Sequence, residues 1–383
     1  MEKPLSQLRP PVVVEREDLG RLFDALARRG RRIIGPTIRD RAIVYGELAC
    51  AEDLPVGWAD EQDNGIYRLR KAAGAALFHY VVGPQSLKKY LCPSTVRLWQ
   101  AHRGENNAVD IVPPTVEAPE TALIGVRPCE LQALAVQDKV FSEADYVDPG
   151  YQARRQNLFI VAVNCTHPAK TCFCVSMNSG PKASTGFDLA LTEILAEARH
   201  WFLVETGSEP GAQALAEVPN QAAGAAELQA AQEAWAQAAR GMGRTLETAG
   251  LKDLLYDNDE HARWDEVAER CLTCGNCTMA CPTCFCSTVE DFTDLTGHHA
   301  ERRRQWDSCF TVDFSYIHGG SVRSSAKSRY RQWMTHKLAT WIDQFGLCGC
   351  VGCGRCLTWC PVGIDITEEA RAIRQSPRAG AKT

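Results

Sequence analysis

One cysteine spacing occurs twice in this chain. Cys271, Cys274, Cys277 and Cys281 follow C-x2-C-x2-C-x3-C with Pro282 after the last, and Cys350, Cys353, Cys356 and Cys360 repeat the spacing with Pro361 after the last. Three thiolates two residues apart can wrap one iron–sulfur cubane, whereas the fourth lies too far along and is supplied to the neighbouring cubane. The spacing therefore predicts that Cys271, Cys274, Cys277 and Cys360 hold one [4Fe-4S] cluster and that Cys350, Cys353, Cys356 and Cys281 hold a second. Sharing the fourth ligand ties residues 271 to 360 into one unit. Sulfur ligands also suit zinc, but zinc sites commonly use two separated C-x2-C pairs rather than a run of three followed by a fourth and Pro.

The remaining composition fits this reading. Of 383 residues 18 are cysteine, and MEKPLSQLRPPVVVERE has neither the charged start and apolar run of a secretory leader nor a membrane span. A cytoplasmic, soluble chain is expected. In that reducing compartment so many thiols argue for metal or redox chemistry over disulfides. With 42 Lys and Arg against 47 Asp and Glu, no general basic field draws the chain to nucleic acid or to a membrane.

The first half reads differently from the second. TALIGV (121–126) and LFIVAV (158–163) are short apolar runs expected as strands. CELQALAVQDKVF and FDLALTEILAEARHWF, which follow them, are expected as helices, and WFLVET reads as a strand leading into the turn GSEPG (207–211). The fold predicted is an α/β N-terminal domain with a partly parallel sheet over 1–250, plus an α-helical ferredoxin-like C-terminal domain over 251–383 binding two [4Fe-4S] clusters. The Ala-rich stretch 212–240 reads as a surface helix or helix pair. Between the cysteine motifs, SSAKSRYRQWMTHKLATWIDQFG places Tyr330, Trp333, Met334, Leu338, Trp341, Ile342 and Phe345 at helical spacing.

Other thiols gather near the two strands. Cys129 follows TALIGV and Cys165 follows LFIVAV, so a parallel sheet would deliver both to its carboxyl edge, where ligands tend to bind. Cys172 and Cys174 stand a short loop away in TCFC, and the four together suffice for a third cluster; ordinary buried thiols or zinc are the alternatives. Cys348 reads as a core thiol or one just behind the ligands; Cys284, Cys286 and Cys309 read as part of another site, as weak S–H donors to cluster sulfurs or as buried spectators, and Cys50 and Cys92 as core residues. The basic residues 302–304, Arg323, Lys327, Arg329, Arg331, His336 and Lys337 read as offsetting cluster charge, as docking an acidic partner or as a solvated face.

No G-x-G-x-x-G fingerprint, P-loop or H-E-x-x-H motif accompanies the cysteines. Clusters without an evident substrate or flavin pocket suit a subunit that passes electrons between others, with no catalytic residue of its own. An iron–sulfur redox sensor is the alternative of another class.

The segments GVRPCELQALAVQDKVF, VDPGYQARRQNLFIVAVNC, TCFCVSMNSGP, CLTCGNCTMACPTCFC, RQWDSCF and CVGCGRCLTWCPVGIDI together resemble the iron–sulfur β subunit of group 3 NiFe hydrogenases of the sulfhydrogenase type. The electron-transfer subunit of anaerobic sulfite reductase is similar. The resemblance implies an electron-transfer subunit of a cytoplasmic, NAD(P)-linked hydrogenase. Its expected partners are a subunit binding FAD and NAD(P) and the NiFe small and large subunits; in the cousin a sirohaem sulfite reductase subunit takes the latter place, and a polysulfide reductase role is a further alternative.

Overall fold

The computed structural model describes residues 9–104, 106–143, 145–196 and 199–376. Strand β1 (Val12–Glu15) and the helix Leu19–Arg28 precede β2 (Arg32–Arg39) and β3 (Ala42–Glu47), and a separate hairpin follows as β4 (Trp58–Asp63) and β5 (Ile66–Lys71). Next come β6 (Thr95–Arg103), β7 (Val109–Val112), β8 (Thr121–Val126), the helices Pro128–Phe141 and Pro149–Gln156, and β9 (Leu158–Val163). β10 (Leu189–Ala196), β11 (Arg199–Thr206) and β12 (Gln221–Ala222) complete the first half; β13 (Ser287–Thr293) and β14 (His299–Trp306) lie in the second.

The main sheet is mixed, in the order β12-β1-β11-β10-β9-β8-β2-β3. Its centre is parallel, β2 beside β8, β8 beside β9 and β9 beside β10, and its flanks are antiparallel. Apolar runs explain the centre: all of β8 and all but the first residue of β9 are buried, as strands covered on both faces must be. Phe23, Leu26, Ile34, Leu123, Ile160, Leu191 and Phe202 are among the residues of this core.

FDLALTEILAEARHWF is not a helix. It forms the β10–β11 hairpin, with Leu191 opposite Val204 and Glu193 opposite Phe202; Glu197 and Ala198 lie outside the described residues. Helix-forming Leu, Ala and Glu are overridden because β9 needs a partner for its backbone groups, and β10 supplies it while burying Leu189, Ala190 and Leu191. The expected surface helices are present as Glu209–Leu215 and Ala225–Arg240. GSEPG is a helix start: Ser208 Oγ accepts from Gly211 N at 3.0 Å. Ala231, Leu228 and Trp235 of the second helix pack on Val13, Trp201 and Leu203.

The second half centres on Trp264, Phe310, Tyr330, Trp333, Met334, Leu338, Leu357 and Ile373, with Cys271, Cys277, Cys350, Cys356 and Cys360 packed against them. The periodic stretch between the motifs is helical from Ala326 to Phe345, passing through a π-helical turn at His336–Thr340. That turn carries Lys337, a buried cation.

This half is not wholly helical. β13 pairs with β14, and β14 crosses the chain to pair with β6, giving an antiparallel sheet ordered β13-β14-β6-β7 with strands from both sides of residue 250. The half-exposed alternation of STVEDFT is a faint strand signal beside the cysteine pattern. Among the described residues no helix is long and apolar enough to cross a membrane.

Candidate metal centre

Both cysteine motifs fold alike. The helix Arg263–Arg270 ends at Cys271, whose N–H donates to Val267 O at 3.0 Å. The chain then turns through Gly275 at φ +76° into the one-turn helix Asn276–Met279, which carries Cys277, and reaches Cys281. In the second motif Gly354 at φ +75° opens the one-turn helix Arg355–Thr358, which carries Cys356, and Cys360 follows. A glycine between the second and third cysteine of each motif permits the left-handed turn that points successive thiols the same way.

The fourth cysteines are exchanged between motifs. Burial pushes the Cys271 thiol up, and Cys360 and Cys274 push it the same way; Cys277 is raised by burial and then by Cys271, Cys360 and Cys274. Cys356 is raised by burial and then by Cys350, Cys353 and Cys281. The structure thus brings Cys360 to Cys271, Cys274 and Cys277, and Cys281 to Cys350, Cys353 and Cys356. Cys277 and Cys281 also interact, so the two sets adjoin.

The third group is gathered as well. Cys129 opens the helix after β8 and Cys165 follows β9, at the same sheet edge. Cys172 is raised by burial and then by Cys174 and Cys165, and Cys129 by burial and then by Cys353 and Cys174. Cys353 of the second motif acts on both Cys129 and Cys172 and so links this group to the paired motifs. The contact is tight: Phe173 N donates to Gly352 O at 2.9 Å, and Ser179 Oγ to Val351 O at 2.6 Å. A Cβ on Gly352, at φ +63°, would stand 2.6 Å from the Phe173 backbone carbonyl. Gly352→Ala is expected to cost about 1–3 kcal/mol through backbone strain, seen as a lowered thermal midpoint of the holoprotein.

Several observations test whether these thiols suit iron–sulfur clusters. Cys271, Cys274, Cys277, Cys356 and Cys360 line one cavity with Phe310, Tyr330 and Trp333. Tyr330 Oη and Trp333 Nε1 are buried there without a hydrogen-bond partner, and cluster and cysteine sulfurs are the acceptors such donors lack. The residues fit the group.

Buried cations stand beside each deep set. Lys337 Nζ donates to Thr283 Oγ1 at 2.8 Å and Gly349 O at 3.2 Å, and helps hold the Cys281 thiol well below its usual range, after the hydrogen bond from Cys284. Arg355 forms a 2.8 Å ion pair with Glu130 and lies against Cys353 and Cys129. Arg127 donates to Phe78 O and Tyr80 O at 2.8 and 2.6 Å, with Nη1 4.0 Å from Cys165 Sγ. Lys88 Nζ donates to Cys284 O at 3.0 Å.

Of the basic residues singled out in the sequence, Lys337 reaches these thiols most closely, and Arg329, which donates to Phe310 O, acts on Cys271. Arg302, Arg303 and Arg304 pair with Asp291, Glu301 and Asp148, Lys327 with Asp265 and Arg331 with Glu260. Arg127 and Arg355 were legible only as cations beside cysteines in RPC and CGRC. Cys92 is buried, but Cys50 is exposed rather than core, at the start of the 3-10 turn Ala51–Asp53.

This fold and these thiol sets define a [4Fe-4S] electron-transfer protein; residues 270–364 match the 4Fe-4S dicluster domain family. The chain is 33% identical over 256 residues to sulfhydrogenase 2 subunit beta of Pyrococcus furiosus, an alignment covering 66% of this chain and 74% of that relative. It belongs to the family of sulfhydrogenase beta subunits. No solved structure matches it.

Proposed function

We propose that this chain is the electron-transfer subunit of a cytoplasmic NAD(P)-linked NiFe hydrogenase, set between the NiFe small and large subunits on one side and a subunit binding flavin and NAD(P) on the other. Cys271, Cys274, Cys277 and Cys360 would hold one cluster, Cys350, Cys353, Cys356 and Cys281 a second, and Cys129, Cys165, Cys172 and Cys174 a third. In this reading 251–383 carries the paired motifs and 1–250 the third set. The observation that carries it is the succession of thiol sets, near enough that Cys281 acts electrostatically on Cys277 and Cys353 acts on Cys129. Bound there, each [4Fe-4S] cluster would take up and release one electron.

The protein's own groups prepare these places. Arg127, Arg355 and Lys337 oppose the negative charge of gathered thiolates where water is excluded. Phe285 and Phe345 pack against Trp341 beside the second set and keep it dry. Cys274 is exposed, next to Leu272 at 61% exposure, so the first set reaches the surface where a partner can dock.

Tyr330→Phe removes a buried donor facing the first set. It is expected to lower one midpoint potential in an EPR-monitored titration while leaving iron content unchanged. The functional reading is tested by anaerobic capture of the tagged native protein with analysis of iron, nickel and flavin. Co-purifying nickel and flavin support it; sirohaem without nickel reassigns the chain to sulfite reduction, and iron-loaded chain recovered alone favours a sensor.

A further inference from the structure

The four-stranded sheet brings two histidines together at the end of β14 that lies away from the cysteines. His299 opens β14 and stands directly opposite His102 of β6, with Asp110 of β7 next in the same row across the sheet. Residues opposite one another on paired strands share a face. The two rings meet through like atoms, Nδ1 3.4 Å from Nδ1, with ring centroids 4.9 Å apart. His102 is exposed and His299 partly so. Asp294 fixes the turn that starts the strand, its Oδ1 accepting from the backbone N–H groups of His298 and His299 at 3.0 and 3.3 Å. The His298 ring is engaged elsewhere, with Nδ1 3.2 Å from Arg103 O.

A hydrogen bond accounts poorly for this pairing, because N–H donors bond at about 2.7–3.2 Å. Two nitrogens on one tetrahedral zinc, each about 2.0–2.1 Å from the metal, stand about 3.3–3.4 Å apart. The two strands hold the Nδ1 atoms at that separation. A neutral imidazole carries one proton, and with it on Nε2 in both rings the two Nδ1 lone pairs are free to meet one cation. We propose that His102 and His299 form a two-histidine site for a divalent transition metal of the class that favours imidazole, such as zinc. Asp110 adds a negative charge to the same face, which favours a cation there. Among the described residues no group of three Cys, His, Asp or Glu gathers to hold an ion, so the pair supplies two positions and water fills the others. A structural zinc is closed by four protein ligands; this site is open and exchanges its metal with solvent.

The test uses anaerobically purified holoprotein as wild type, His102→Gln and His299→Gln. Each is equilibrated with zinc chloride, and bound zinc and iron are measured. The wild type is expected to bind one zinc per chain more than either variant, all three with equal iron. On the wild type, zinc is also expected to shield His102 and His299 from diethyl pyrocarbonate while His298 stays reactive, read by peptide mass spectrometry. Equal zinc in all three proteins overturns the proposal and leaves the pair as a long hydrogen bond. Labelling of His102 and His299 that zinc does not change overturns it too. The labelling is read on the wild type, so it decides the matter where a variant misfolds and loses iron.

Discussion

Cys353→Ser is expected to lower the iron content by about four atoms per chain, the content of one cubane, and to abolish electron passage between the partner subunits. Cys353 has the greatest leverage because it faces both ways: Cys281 acts on it from its own set, and it acts in turn on Cys129, Cys172 and Cys174. In the proposed complex, hydrogen activation assayed at the NiFe subunits should persist, since the substitution touches only the route onward. Cys92→Ser is the matched control. Cys92 is buried and belongs to none of the three sets, its thiol pushed up to about 12 by burial, and its replacement should leave iron unchanged. Full iron and normal nicotinamide-linked turnover in Cys353→Ser would remove Cys353 from the ligand set.

Arg355→Met should produce the largest loss of stability. Arg355 and Glu130 are 3% and 1% exposed at the side chain and 2.8 Å apart, joining the second motif to the helix after β8. Removing one partner of a buried pair leaves the other charge uncompensated, at a cost of about 3–5 kcal/mol, a large share of the roughly 5–15 kcal/mol that holds a folded domain together. Tyr45 donates to the other Glu130 oxygen and cannot replace the lost charge. The double variant Arg355→Met, Glu130→Gln is expected to recover much of the loss. Denaturation midpoints of wild type, single and double variants, measured anaerobically with iron bound, decide this; equal midpoints for wild type and Arg355→Met would contradict it.

The sequence was most readable where chemistry restricts spacing. C-x2-C-x2-C-x3-C twice over identified the dicluster domain, and TALIGV and LFIVAV marked the central strands because apolar runs of that length belong in a sheet covered on both faces. Where pairing depends on distant partners, local pattern was a poor guide. FDLALTEILAEARHWF carries helix formers yet serves as a hairpin, since β9 and β1 flank it. Likewise β14 owes its place to β6, about two hundred residues away in sequence.

Electrostatics was the least legible layer. A run of arginines at 302–304 draws the eye, but its members meet carboxylates. Arg127, Arg355, Lys88 and Lys337, scattered singly through the chain, supply the buried positive charge around the thiols. Exposure separates the two groups, and it is not a property of local sequence.

The central claim is that three adjoining thiol sets hold three clusters. Iron and acid-labile sulfide, quantified per chain in anaerobically purified native protein with Mössbauer spectra of the same sample, test it most directly. About twelve irons are expected, all in cubanes. About eight would contradict the third set at Cys129, Cys165, Cys172 and Cys174, and stoichiometric zinc in place of iron would contradict the whole assignment.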